Sequence, residues 1–228
     1  PGAPFMSLLA AFQCLLYRYA GQSDIRIGVP LAGRDDPRAA QAVGFFVNTV
    51  VIRSLLHGGL RAGQVLDGVR ERLLAAHAHQ ELPFARVVEA LQPAREPGRT
   101  PLFQVLVNQR QNHPLPDELA PGLRVDLREI DGGEAQFDLM LNFAEAEDGA
   151  LDLAFTYAGD VFDAATIERL ATHYRELLEQ WCEDPARPLA AFLLSDAAAP
   201  GPAPAQPPAP DVMARIVAQV ATRGDAIA

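Results

Sequence analysis

The sequence predicts an α/β fold: one mixed sheet with helices packed on it. Two observations carry that expectation. Apolar residues recur at helical spacing over residues 5–19, 62–80 and 163–183, while strand-like patterns occupy 24–53 and then run on from 102 to 157. Stripes and strands mixed in this way pack as layers around one core. With 228 residues, 49% of them hydrophobic, there is chain enough for one such domain plus appendages.

Pro4 suits the first turn of a helix, and Gly21 suits its end. Between them Phe5, Leu8, Leu9, Phe12, Leu15, Leu16 and Tyr19 form a stripe for packing on a sheet. A strand is expected over 24–31, where Ile25, Ile27, Val29 and Leu31 alternate with Asp24, Arg26, Gly28 and Pro30. Gly28, Pro30 and Gly33 mark its end and the start of a polar loop. The acidic pair Asp35 and Asp36, beside Arg34, Pro37 and Arg38, reads as a solvated turn rather than a metal site. A second strand is expected over 45–53. Phe45, Phe46, Val47, Val50, Val51 and Ile52 leave it no polar face, as for a strand covered on both sides. Asn48 and Thr49 interrupt the run. A buried amide must find partners, so Asn48 is either a structural clamp, which base rates favour, or a group kept for a ligand.

Ala62–Gln80 is expected to be helical, with Val65, Leu66, Val69, Leu73 and Ala76 on one face. His77 and His79 near its end stand two residues apart and so point away from each other, which argues against a metal pair. Pro83 opens a short helix through Leu91. After the Pro-rich turn at 93–101 come four expected strands: Leu102–Gln109, Leu123–Ile130, Gln136–Phe143 and Leu151–Tyr157. Asp148–Gly149 is a hairpin signal between the last two. The stretch from Arg110 to Gly122 is too polar and proline-broken to be an element, and reads as a bridging loop. Asp163 caps the last long helix and Phe162 staples onto Ile167, ahead of Leu170, Tyr174, Leu177, Leu178 and Trp181. His173 falls off that stripe and is expected in solvent. Pro185 ends the helix, and Pro188–Asp196 is a short apolar tail expected to pack back.

Composition shifts at residue 197. Residues 197–210 carry no apolar side chain larger than Ala or Pro and read as a semi-stiff linker. Residues 211–222 resume helical spacing with Val212, Ile216 and Val220. The first residues lack a start Met and the last stop inside an apolar pattern, so the chain reads as a piece of a longer polypeptide.

The net charge of −10 argues against a nucleic-acid partner, which would need a basic stripe. No apolar run is long enough to span a bilayer, so no membrane partner is expected. Cys14 and Cys182, without CxxC spacing, read as buried, reduced thiols consistent with a cytoplasmic location. There is no GxSxG elbow, no recognisable Cys–His pairing and no phosphate-cradling glycine loop.

Three stretches, in order, carry a family resemblance. GVPLAGR followed by VGFFVNTVVIR, with Gly28, Gly33, Arg34, Phe45, Phe46 and Asn48, resembles the fifth core motif of nonribosomal peptide synthetase condensation domains. HQELPF, with His79, Gln80, Pro83 and Phe84, resembles the sixth, with Glu81 where the family usually shows Asp. REPGRTPLFQV, with Arg95, Arg99 and Pro101, resembles the seventh, with Glu96 and Gly98 in place of Asp and Ser. The HHxxxDG motif holding the family's catalytic His does not occur, and no two His residues are adjacent.

The resemblance implies the C-terminal lobe of a chloramphenicol acetyltransferase-like condensation domain over 1–196, a linker over 197–210 and the start of an adenylation domain over 211–228. It implies peptide-bond formation between carrier-bound thioesters in the whole domain, with no catalytic residue and no metal site in this chain. No cofactor is expected to bind directly; phosphopantetheine arms of peptidyl carrier domains would deliver substrates. The implied partners are the N-terminal lobe, those carrier domains and a downstream adenylation domain. Gly28, Gly33, Arg34 and Asn48 are expected in the wall of the substrate channel. The 110–122 loop is expected to cross to the other lobe. A nonenzymatic interaction module built on the same lobe is the alternative.

Overall fold

The computed structural model describes residues 3–39, 42–94, 98–110, 118–120, 122–125, 133–146 and 149–195. Arg95, the 197–210 linker, the 211–228 segment and Asp148 of the expected hairpin lie outside the described residues.

The first helix, α1 (Ala3–Ala20), is followed by β1 (Asp24–Leu31), β2 (Asn48–Leu55), α2 (Ala62–Ala78) and α3 (Phe84–Leu91). Then come β3 (Val105–Arg110), the short β4 (Glu118–Ala120) and β5 (Leu123–Arg124), β6 (Leu139–Glu145), β7 (Leu151–Tyr157) and α4 (Ala164–Glu183). Five strands make one sheet in the order β2-β1-β3-β6-β7, and β4 with β5 makes a separate ribbon. The two outer pairs are antiparallel, and β1–β3 and β3–β6 are parallel, so the sheet is mixed as expected.

One sheet face carries the helices. Ile25, Ile27 and Val29 of β1, Ile52 of β2, Val107 of β3 and Leu139, Leu141 and Phe143 of β6 are buried there against Phe5, Leu8, Leu9, Phe12 and Leu15 of α1. The alternation read along 24–31 thus reports a face covered by α1, which also packs on α2 and α4. A buried polar bridge joins α1 to β2: Ser54 Oγ donates to Gln13 Oε1 at 2.6 Å, and Gln13 Nε2 donates to the Ile52 carbonyl at 3.2 Å. At the other end Tyr174 Oη donates to the Leu8 carbonyl at 2.8 Å, between α4 and α1. The Asp163 carboxylate caps α4 by accepting the Thr166 N–H at 2.7 Å.

Several expectations need correction. β2 starts at Asn48, not at residue 45, and it is not covered on both faces, since Ile52 and Ser54 are buried while Arg53 and Leu55 are exposed; it is also an edge strand. Its last rung is Asn48 opposite Leu31, after which Gly33 at φ 63° turns the chain away. Residues 45–47 therefore have no strand to pair with among the described residues, and Phe45 is 92% exposed. Gly28 lies mid-strand and buried, so it does not mark the end of β1. The stretch read as structureless from Arg110 to Gly122 contains β4, and of the expected Leu123–Ile130 strand Leu123–Arg124 pairs with β4 outside the main sheet, while residues 126–130 lie outside the described residues. Cys182 is exposed, at the end of α4, while Cys14 is buried. His173 is 2% exposed rather than solvated, because the tail returning over α4 covers it. Burial pushes the Cys14 thiol far above its ordinary range, which leaves it inert.

Candidate functional site

The three motif stretches converge where β1 ends, β2 begins and α2 gives way to α3. The loop between β1 and β2 is built around Arg34. Its guanidinium donates to the carbonyls of Ala39, Ala42 (2.9 Å) and Gly44 (3.4 Å), and it stacks on the Phe46 ring with 4.4 Å to the centroid. A planar fork can serve several carbonyls and an aromatic face at once. Gly33 is required here: a side chain at its φ of 63° would be strained, and an added Cβ would lie 2.3 Å from the Phe46 carbonyl oxygen. The loop so braced presents Val43 and Phe45 to solvent.

Asn48 ties that region to the turn before α3. Its Nδ2 donates to the carbonyls of Gln80 and Leu82, each at 2.7 Å, and its Oδ1 accepts the Phe84 N–H at 3.1 Å. Phe84 is the first residue of α3 and follows Pro83, so its N–H is one of the helix's orphan donors. Asn48 caps α3 from another element. A second tie runs in parallel, since Gln80 Nε2 donates to Asp35 Oδ2 and His77 Nε2 lies 3.4 Å from the same oxygen.

The seventh stretch enters through Phe103. Gln104 Nε2 donates to the Thr100 carbonyl and the Phe103 N–H to the Pro101 carbonyl, which folds the approach to β3 into a tight turn. Leu102 sits at φ 72°, a left-handed conformation unusual for leucine. The Phe103 ring lies directly over Gly28, where an added Cβ would come within 2.3 Å of it. That ring also meets Phe84 at 5.5 Å, edge-on, and Phe137 at 5.5 Å. The glycine in mid-β1 therefore leaves room for a ring of the seventh stretch, which in turn holds the helix of the sixth.

Of the residues expected in a channel wall, Gly33, Arg34 and Asn48 share one end of the sheet, while Gly28 lies beneath Phe103. Phe46, Gln80 and Phe84 join them by contact, Pro83 precedes α3, Phe45 projects away, and Arg99 and Pro101 lie in the turn ahead of β3. His79 ends α2 and borders a groove of about 460 Å³ between β2 and α3, lined also by Thr49, Val51, Leu82, Val87 and Leu91. Sequence reasoning missed Phe103. A glycine inside a strand interior signals a close approach and could have pointed to it.

Among the described residues no group of His, Cys, Asp and Glu is placed to hold a metal ion. His77 faces Asp35, and His173 lies 2.6 Å from the Tyr19 hydroxyl, away from the motif cluster. This arrangement can shape and brace a surface, and His77 and His79 are the imidazoles that border it. No helix among the described residues is long and apolar enough to cross a membrane.

A family model described as condensation domain matches residues 5–199. A linear gramicidin synthase polypeptide of Brevibacillus parabrevis is 43% identical over 195 residues, covering 84% of this chain and 2% of that protein. Among solved structures, a four-domain nonribosomal peptide synthetase bound to AMP and glycine superposes with a TM-score of 0.73 at 26% identity, over 82% of this chain and 15% of that one. The X-domain from teicoplanin biosynthesis, in complex with OxyB, gives a TM-score of 0.71 at 26% identity, over 85% of this chain and 43% of that one. The chain thus spans a small part of the curated relatives it matches and under half of the X-domain chain.

Proposed function

The chain belongs to the condensation-domain family, and from that premise we propose that residues 1–196 are the C-terminal lobe of a peptide-bond-forming domain of a nonribosomal peptide synthetase. On this reading residues 197–210 are a linker and 211–228 the start of an adenylation domain. The whole domain joins aminoacyl or peptidyl thioesters delivered on phosphopantetheine arms of carrier domains, in the cytoplasm. Condensation is acyl transfer: the amine attacks the thioester carbonyl, a tetrahedral oxyanion forms, and the thiolate leaves as the amine loses its proton. This chain has no HHxxxDG motif to supply the base. Its part is therefore structural and positional, with the Arg34 loop and the Asn48 clamp forming one wall of the channel and Gly28 acting through Phe103.

The observation that carries the proposal is the convergence of the fifth, sixth and seventh motif stretches on Asn48 and Phe103. The exposed Val43 and Phe45 on the braced loop supply an apolar surface for the N-terminal lobe. Mixing residues 1–228 with a separately produced HHxxxDG-containing lobe tests this by sedimentation. A one-to-one complex weakened by Phe45→Ser supports the reading, and two non-interacting species count against it.

A second reading, a noncatalytic interaction module, draws on the similarity to an X-domain solved in complex with OxyB. An HHxxxDG motif in the parent polypeptide favours the first reading, and its absence there favours the second.

A further inference from the structure

Beyond α4 the chain doubles back and runs over the lobe to Ser195, through a 3-10 turn at Leu189–Ala191. Side chains of other elements take up much of its main chain. Arg18 Nη1 of α1 donates to the carbonyls of Leu189 at 3.2 Å and Phe192 at 3.1 Å. Gln180 grips Leu193 on both sides, Nε2 donating to its carbonyl at 2.6 Å and Oε1 accepting its N–H at 3.0 Å. Glu176 Oε2 accepts the Ser195 N–H at 2.9 Å, and His173 Nε2 meets the Ser195 carbonyl. The N–H groups of Leu189 and Ala190 donate to the carbonyls of Leu60 and Gly58 at 2.8 and 3.1 Å.

Two side chains of the segment are fully buried anchors, and Leu194 packs half-buried against the core. Leu189 and Phe192 are buried, and Phe192 stacks on Trp181 at 5.9 Å, whereas Leu193 is 78% exposed. On α4 the three gripping residues His173, Glu176 and Gln180 follow spacings of three and four, so they form one row along the helix. The end of the row is locked from α1 as well. A carbonyl only accepts, so His173 donates from Nε2, while its Nδ1 and the Tyr19 hydroxyl share a hydrogen bond of 2.6 Å.

We infer that Pro188–Ser195 is an exit strap, recognised through its main chain by the His173–Glu176–Gln180 row and Arg18, and that it fixes where the polypeptide leaves the lobe. The inference does not depend on the condensation reading. A main-chain grip holds the path of the strap whatever the exposed side chains are, and it ends at Ser195, just before the Ala/Pro-rich composition of residues 197–210. Hydrogen bonding from the Ser195 side chain, and after it from the Ser195 N–H, holds the Glu176 carboxyl below its ordinary range.

The test is amide hydrogen exchange on the full 228-residue chain and its variants. The wild-type Leu193 and Ser195 amides are expected to be protected about tenfold or more against unstructured rates. Glu176→Ala should release Ser195 while leaving Leu193 protected, and Glu176→Gln, whose amide oxygen still accepts, should restore Ser195. Gln180→Ala should release Leu193. Amides of α4 from Leu170 to Leu177 serve as the control and should keep their rates in every variant. Unprotected Leu193 and Ser195 amides in the wild type would overturn the inference, as would Ser195 protection that survives Glu176→Ala.

Discussion

The Asn48 side chain caps a helix that begins 36 residues later, its Oδ1 accepting the Phe84 N–H at 3.1 Å while Nδ2 donates to the Gln80 and Leu82 carbonyls. One amide on an edge strand thereby sets the angle at which α3 leaves the turn. Its amide hydrogens and its oxygen are all engaged by main-chain groups of the turn before α3.

Asn48→Ala should leave the Phe84 N–H and two carbonyls without their partner and cost about 1–3 kcal/mol. Asn48→Asp keeps an acceptor for Phe84 but sets a carboxylate against both carbonyls, and should be no better. Denaturant unfolding gives the stability, and amide exchange at Phe84–Val87 shows whether the loss begins at α3. A stability unchanged within error, with α3 exchange also unchanged, would contradict the clamp.

Gly28→Ala places a methyl group where the Phe103 ring lies and should destabilise by about 1–3 kcal/mol through overpacking. Phe103→Leu in the same chain should relieve part of that cost. A double-mutant cycle is then expected to show coupling of about 1 kcal/mol between the two positions. Additive effects would mean that the contact is not the reason for the glycine.

Arg34→Lys keeps the charge and loses the fork that reaches Ala39, Ala42 and Gly44. It should loosen the loop nearly as much as Arg34→Ala, seen as faster exchange of the Ala42 amide. If lysine restores protection fully, charge rather than geometry braces the loop.

Asp24 accepts hydrogen bonds from Arg26 and Arg53, which hold its carboxyl below the ordinary carboxylate range. A carboxyl depressed by folding contributes stability above its unfolded pKa, and that contribution is lost as pH falls through the lower, folded value. Asp24→Asn should therefore narrow the stability difference between pH 6 and pH 2 in thermal unfolding. An identical acid limb in wild type and variant would remove Asp24 from the account.

The parts of the fold that were legible in sequence are those with short-range patterns. β1 and β7 fall where alternation placed them, and α1 and α4 follow their stripes to within about two residues. The start of β2 was not legible, because Phe45–Val47 have strand-like side chains but no partner once Gly33 turns the chain. His173 misled for a related reason: a single core-facing stripe takes no account of a strap laid along the neighbouring face of α4. At the candidate site the residue types and order were visible, but the pairings were not. Asn48 with Phe84, Gln80 with Asp35 and Gly28 with Phe103 each join distant segments, and no local period encodes them.

We propose that this chain braces a condensation channel and that the general base is supplied from outside it. Transfer between two loaded carrier domains, followed by mass spectrometry of the acceptor arm, tests it most directly. Residues 1–228 alone should give no dipeptide, and adding an HHxxxDG-containing lobe should produce it. Robust dipeptide formation by residues 1–228 alone would contradict the account and direct attention to His79 and His113.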